Sequence, residues 1–173
     1  MGGNVTLRQA RTEDLDFAWR VYAEAIKPHI APYIATHFGR EWKDEQEKAA
    51  FATWWTLENT SVITHADAQV GWLHFEESDR EITLVNYCIG SDYRHRGIGS
   101  QVLVYLLGML GARGKPIIHT VLKTSQLQVF FERFGFEVIG EDEITLIMKR
   151  PVALIAEAAG QRDQQVVVIG PES

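Results

Sequence analysis

The run Asp92-Tyr93-Arg94-His95-Arg96-Gly97-Ile98-Gly99-Ser100 combines the residue types that hold an anion. Gly97 and Gly99 lack a Cβ, so the backbone there can turn tightly and bring its N–H groups within hydrogen-bond distance of a phosphate. Arg94 and Arg96 add positive charge at the rim, beside His95. Before the run lies an apolar, β-branched stretch, Ile82 to Ile89, with the composition of a buried strand. After it Ile98, Val102, Tyr105, Leu106 and Met109 recur at helical spacing. Strand, glycine loop and helix make a phosphate cradle. A nucleotide P-loop needs Lys-Ser or Lys-Thr after its last glycine, and here Ser100-Gln101 follows Gly99. A dinucleotide fingerprint needs three spaced glycines, and here there are two.

Acid–base chemistry has three candidates outside the loop. His119 falls on a predicted strand, Ile117 to Leu122, and an imidazole titrates near neutrality. His74 and Glu76 alternate on another predicted strand, Gln69 to Glu76, and could act through a water. Each histidine can equally be a packed or solvated ring. The six histidines (29, 37, 65, 74, 95, 119) show no metal-ligand spacing, so no metal is expected. The single cysteine, Cys88, excludes an internal disulfide and suits a reducing, cytoplasmic setting. It reads as a buried structural thiol before it reads as a nucleophile.

The chain has 173 residues, of which 46% are hydrophobic, enough for one domain with a sizeable core. No apolar run reaches membrane-span length, and Met1-Gly2-Gly3-Asn4 lacks the basic and apolar regions of a signal peptide. Gly2 with Thr6 nominally fits a myristoylation pattern, but Val5 and Leu7 read as the start of a strand. A net charge of −6 argues against nucleic acid or anionic membrane as partner and suits a cationic substrate such as an amine.

In chain order, Val5 to Gln9 alternates as a strand. Thr12 is placed to cap a helix carrying Leu15, Trp19, Tyr22 and Ile26, and Pro28 should end it. His29 to Lys43 has no period and predicts a long connection. A second helix should start at Asp44, with Glu47 completing a capping box and Phe51, Trp54 and Trp55 on its apolar side. Ser61 to His65 and Gln69 to Glu76 predict a hairpin through Ala66-Asp67-Ala68, and Glu81 to Ile89 extends the meander. Gly114-Lys115-Pro116 stops the long helix before the strand Ile117 to Leu122. Ser125 to Gln128 has the form of a capping box, Gly135 suits a left-handed helix end, and Phe136 to Ile139 and Ile144 to Lys149 predict two further strands. In the tail, 151 to 173, the run Val166 to Ile169 is apolar enough to add a strand to its own sheet or to a partner's, as in a homodimer.

The R-x-x-G-x-G spacing after a strand resembles the pyrophosphate loop of the Gcn5-related N-acetyltransferases (GNAT). A second block, Phe130-Phe131-Glu132-Arg133-Phe134-Gly135-Phe136, is similar to the family's F-Y-E-x-L-G-F block, in the right order and about thirty residues on. The resemblance covers roughly residues 5 to 149. It implies an α/β (α+β mixed sheet) fold: six to seven mostly antiparallel strands, four helices, and a splayed pair, here Glu81–Ile89 and Ile117–Leu122, that admits the pantetheine arm of acetyl-CoA. It further implies that backbone groups around Tyr87 and Ile89 meet the arm, and that the N–H groups from Arg94 through Ser100, Ile98 included, meet the pyrophosphate. Ser125, or Thr124 under a longer spacing, takes the place of a cofactor-contacting Asn. The segment His29 to Trp55 would lie over the acceptor site.

By the same resemblance the chain would move acetyl from acetyl-CoA to a primary amine, on a small molecule or a peptide, by direct attack in a ternary complex. His119 stands where some relatives carry a glutamate base, although a one-residue shift of register would turn it to the other face. Phe131 stands where many relatives carry a tyrosine that protonates the leaving thiolate, and a phenyl ring cannot do so. That departure keeps a non-catalytic acyl-CoA-binding module open as an alternative, with a purely structural domain as a third reading.

Overall fold

A computed structural model describes residues 4–152 and 166–169. Eight strands form one sheet in the order β6-β7-β5-β4-β3-β2-β1-β8, where β1 is Val5–Gln9, β2 Thr60–His65, β3 Ala68–Glu77, β4 Ile82–Ile89, β5 Ile117–Leu122, β6 Glu137–Glu141, β7 Thr145–Arg150 and β8 Val166–Ile169. Neighbours pair antiparallel except β4 with β5 and β1 with β8. Four α-helices, α1 (Leu15–Phe38), α2 (Asp44–Trp54), α3 (Ile98–Gly111) and α4 (Leu127–Glu132), cover it. This is the expected mixed sheet with four helices. The apolar run at Val166–Ile169 adds its strand to the chain's own sheet, parallel to β1.

Consecutive buried residues point to opposite faces, which is why the central strands read as continuous apolar runs. Ile63, Leu73 and Leu84 pack under α3 with Val102, Leu103 and Leu106, and Phe131 of α4 joins them. Val62, Trp72 and Cys88 pack on the other face with Phe17, Ala18 and Trp19 of α1 and Phe51 of α2. The β2–β3 turn is a two-residue hairpin in which Ala66 and Asp67 both have positive φ, 48° and 63°, matching the twist of the strands it joins. Gly71 faces Ile89 across β3 and β4, and a Cβ there would sit 2.3 Å from the Cys88 carbonyl oxygen, so only glycine lets these strands approach.

Three local expectations are corrected. Helix α1 does not stop at Pro28: it continues through Pro28 and Pro32 to Phe38, and the connection to α2 shrinks to residues 39–43. Both prolines lie on the exposed side, so the carbonyls that lose a helical donor meet water instead of the core. Gly39, at φ 61°, ends the helix. Secondly, the capping boxes expected at Asp44 and at Ser125 do not form, and the N-cap is Arg11 in place of Thr12, with the Arg11 N–H received by Asp14 at 2.8 Å. The Glu47 carboxylate pairs with Arg40, and Gln128 donates to Glu132. Thirdly, the first turn after β1 is a short 3-10 helix, Thr12–Asp14, before α1 begins. Asp14 is held there by Arg8, through two 2.7 Å hydrogen bonds, and by Gln69.

Candidate active site

Strands β4 and β5 pair over only three positions, Ile82 with Ile117, Thr83 with Ile118 and Leu84 with His119. Beyond these they part. A register shift in β3–β4 accompanies the divergence: His74 faces Asn86 while Phe75 faces Leu84, leaving Val85 as the extra residue of a bulge. The gap opens into a cleft of about 480 Å³. Val85, Asn86, Tyr87 and Cys88 border it from one strand and His119, Thr120, Val121 and Leu122 from the other. Side chains of both faces therefore share one rim, as they must when two strand edges, rather than one face, form the walls.

The glycine loop stands at the end of β4. Gly97, at φ 79°, is the N-cap of α3, and His95 also adopts positive φ, 60°. The first helical hydrogen bond runs from the Gln101 N–H to the Gly97 oxygen, so Ile98, Gly99 and Ser100 have N–H groups with no partner within the helix. His95, Arg96 and Gly97 are exposed, and the loop faces solvent. Arg94 departs from the rim: its Nε donates to the Ile89 carbonyl at 2.8 Å, and its backbone N–H goes to Ser91 O at 3.2 Å. It ties the strand end to the loop, leaving Arg96, stacked over Tyr93, as the outer cation. Glu24 of α1 secures the loop from the other side through the Ser91 N–H and hydroxyl. The Tyr87 hydroxyl donates to the Gly99 carbonyl, joining β4 to the first turn of α3.

His119 borders the cleft but is almost fully buried, with its ring 4.4 Å from that of Phe131. Its Nδ1 lies 2.6 Å from the Leu84 carbonyl oxygen. A carbonyl only accepts, so Nδ1 carries the proton and Nε2 keeps its lone pair. Burial lowers the pKa of this imidazole to about 4, against the smaller opposing effect of the Leu84 bond. His74 and Glu76 come together, Nε2 to Oε1 at 3.6 Å, and His74 also meets the Thr60 hydroxyl at 2.8 Å. They lie on β3, one strand away, and neither lines the cleft. Burial pushes the Cys88 thiol up to about 12, so it carries no thiolate at neutral pH. Ser125 lines the cleft, but its hydroxyl donates to Leu122 O at 2.7 Å. Thr124 is bonded to His29 at 2.8 Å. Phe131 is wholly buried.

Over the gap, α1, α2 and the connection between them close the cleft with Trp19, Tyr22, Trp42, Phe51 and Trp54. Trp19 and Trp42 stack at 6.3 Å between centroids, and Phe51 sits edge-on to Trp54 at 4.5 Å. Lys27 bonds Asp44 and Lys48 bonds Asp16, fixing one helix against the other. Two lining residues, Tyr22 and Glu47, are not singled out by the sequence, although Glu47 falls within the segment His29 to Trp55 expected over the acceptor site. Helical spacing assigns Tyr22 to the core, and a capping pattern claims Glu47. A carboxylate four residues before an aromatic on α2 is the one signal that could have marked the second of them.

A model of the acetyltransferase (GNAT) domain matches residues 51–138, and the chain belongs to that family. No curated protein matches the sequence. Its fold is shared by PaiA N-acetyltransferase from Thermoplasma acidophilum, solved with coenzyme A, at TM-score 0.63 and 17% identity over 86% of this chain and 99% of that one. The ribosomal-protein-S18-alanine N-acetyltransferase from Escherichia coli is similar at TM-score 0.63 and 20% identity, over 86% and 94% of the two chains. Ard1 from Thermoplasma volcanium gives TM-score 0.61 and 15% identity, over 84% and 96%.

Proposed function

We propose that the protein transfers an acetyl group from acetyl-CoA to a primary amine by direct attack. The observation that carries this reading is the open gap between β4 and β5, continuous with the aromatic cleft under α1 and α2 and adjacent to the glycine loop. The amides of Ile98, Gly99 and Ser100 receive the pyrophosphate, and Arg96 adds charge. The unpaired edges of β4 and β5 receive the extended arm, as a third strand would, which brings the thioester to the floor of the cleft. The amine enters from the aromatic side, and its nitrogen lone pair attacks the carbonyl carbon. The C–S bond then breaks, and the nitrogen gives up a proton.

The protonated thiol at Cys88 favours direct attack over an acyl-enzyme. Of the base candidates, His119 alone borders the cleft. With a pKa of about 4 it is too weak to deprotonate a resting ammonium. Its ring lies with Phe131 on the α3 side, so it would take the proton across the gap, at Nε2, from the strongly acidic nitrogen of the tetrahedral adduct. With phenylalanine at 131, the leaving thiolate takes its proton from solvent. A thiol with a pKa near 8.5 is a tolerable leaving group without help.

A second reading, acyl-CoA binding without turnover, draws on the buried phenyl ring of Phe131. Acetyl-CoA calorimetry alongside thiol release over an amine panel separates the two. Binding with turnover is expected, and His119→Ala should lower kcat by about 10²-fold while leaving acetyl-CoA affinity in place. Binding without turnover on any amine would favour the second reading. Absence of binding would sink both.

A further inference from the structure

Among the described residues that line the cleft, Glu47 is the one carboxylate, and no lysine or arginine lines it. The wall around it is aromatic: Trp19, Tyr22, Trp42, Phe51 and Trp54. We infer, resting on the acetyltransferase reading above, that the acceptor is an arylalkylamine whose ring lies among these aromatics and whose ammonium is drawn in by Glu47. The Glu47 side chain is only 17% exposed, and its Oε1 is bonded by Arg40 at 2.6 Å. A carboxylate has about four lone-pair sites, so an ammonium can share the group with Arg40. Indole and phenol faces add cation–π attraction for the same charge and apolar contact for a flat body. The Tyr22 hydroxyl stays protonated, because burial, then Cys88 and Glu47, raise its pKa. It therefore adds a neutral polar group and no competing charge.

The same inventory selects against other amines. An amino acid would bring its own carboxylate into a wall that no lysine or arginine lines, where the neighbouring guanidinium, Arg40, is already committed to Glu47, at the cost of desolvating a poorly paired charge. A polyamine would bring several ammonium groups to a single, already shared carboxylate. The decisive comparison is therefore between molecules that differ only in a carboxylate: tryptamine against tryptophan and phenethylamine against phenylalanine. Spermidine and a short peptide with a free N-terminus complete the panel.

In acetyl transfer, kcat/KM for each arylalkylamine should exceed that of its matched amino acid by about 100-fold, a difference typical of leaving a charged group unpaired. Glu47→Gln should raise KM for phenethylamine about tenfold, and Trp54→Ala should raise it by a similar factor, with acetyl-CoA affinity unchanged in both. Calorimetric titration of phenethylamine into the CoA-saturated protein gives a readout independent of turnover. Preference for an amino acid, for spermidine or for the peptide would overturn the inference, as would absence of both phenethylamine binding and phenethylamine turnover. Failure to bind acetyl-CoA at all would instead strike the acetyltransferase reading beneath it.

Discussion

His119 is a titratable side chain that the fold keeps neutral. Its Nδ1–H is spent on Leu84 O, its ring lies against Phe131, and burial lowers its pKa from 6.5 to about 4. An unfolded chain binds a proton at this residue below pH 6.5, and the folded one does so only near pH 4. The unfolded state therefore holds more protons between those values. The stabilisation is complete above pH 6.5 and is lost as pH falls towards 4, by at most about 3 kcal/mol. Glutamine can still donate to Leu84 O but does not titrate. His119→Gln should thus lose less stability than the wild type between pH 6.5 and 4.5 in urea titrations. Superimposable pH dependences would mean that this imidazole titrates alike in the native and unfolded states. That His119 lies on a strand was legible in the sequence from the apolar run around it. Its donation to Leu84 O and its distance from water were not, because both depend on how a strand from elsewhere in the chain ends its pairing.

At the scale of elements, α1 shows where local signals mislead. Pro28 is a strong stop signal, yet the helix runs on because Pro28 and Pro32 share its exposed side, while Ile34 on the other side is buried. The apolar face extends past the proline, and tertiary burial outweighs the lost hydrogen bond. Pro28→Ala restores a donor for the Glu24 carbonyl at an exposed position. A Pro-to-Ala change in a helix interior gains up to about 3 kcal/mol, offset by about 0.4–1 kcal/mol of added unfolded-state freedom. A net gain of about 1–2 kcal/mol should appear as a higher urea midpoint with unchanged slope. A lower midpoint would show that Pro28 packs something the helix needs. Other elements were legible because their signals are local. The glycine loop and the Gly135 helix end sit where their residue types place them, and the β2–β3 hairpin falls at the expected place but one residue tighter than Ala66-Asp67-Ala68. Gly71 was illegible for the opposite reason: what requires it is the Cys88 carbonyl oxygen of a different strand.

At the scale of the whole molecule, the sheet is asymmetric about its cleft. The β4–β5 gap is near the middle, while β1 would be an edge were β8 not paired along Val5, Thr6, Leu7 and Arg8. Val5 and Leu7 are buried, and Arg8 is committed to Asp14. A bare β1 would thus offer backbone donors and acceptors with no free charge or proline to deter a second chain. Apolar residues at 166–169 are what an edge of this kind needs, and the sequence already marked them as a strand seeking a sheet. Truncation after Arg150 should therefore act on association and not on the site. β3 and β2 stand between β1 and β4, so acetyl-CoA affinity should match that of the full chain within about twofold, while thermal stability falls by about 1–3 kcal/mol. Sedimentation should show concentration-dependent species larger than those of the full chain, formed by strand addition at β1. An unchanged distribution and unchanged stability would mean that β8 contributes nothing to closing this edge. Loss of cofactor binding in a folded truncated protein would mean that residues beyond Arg150 take part in the site itself.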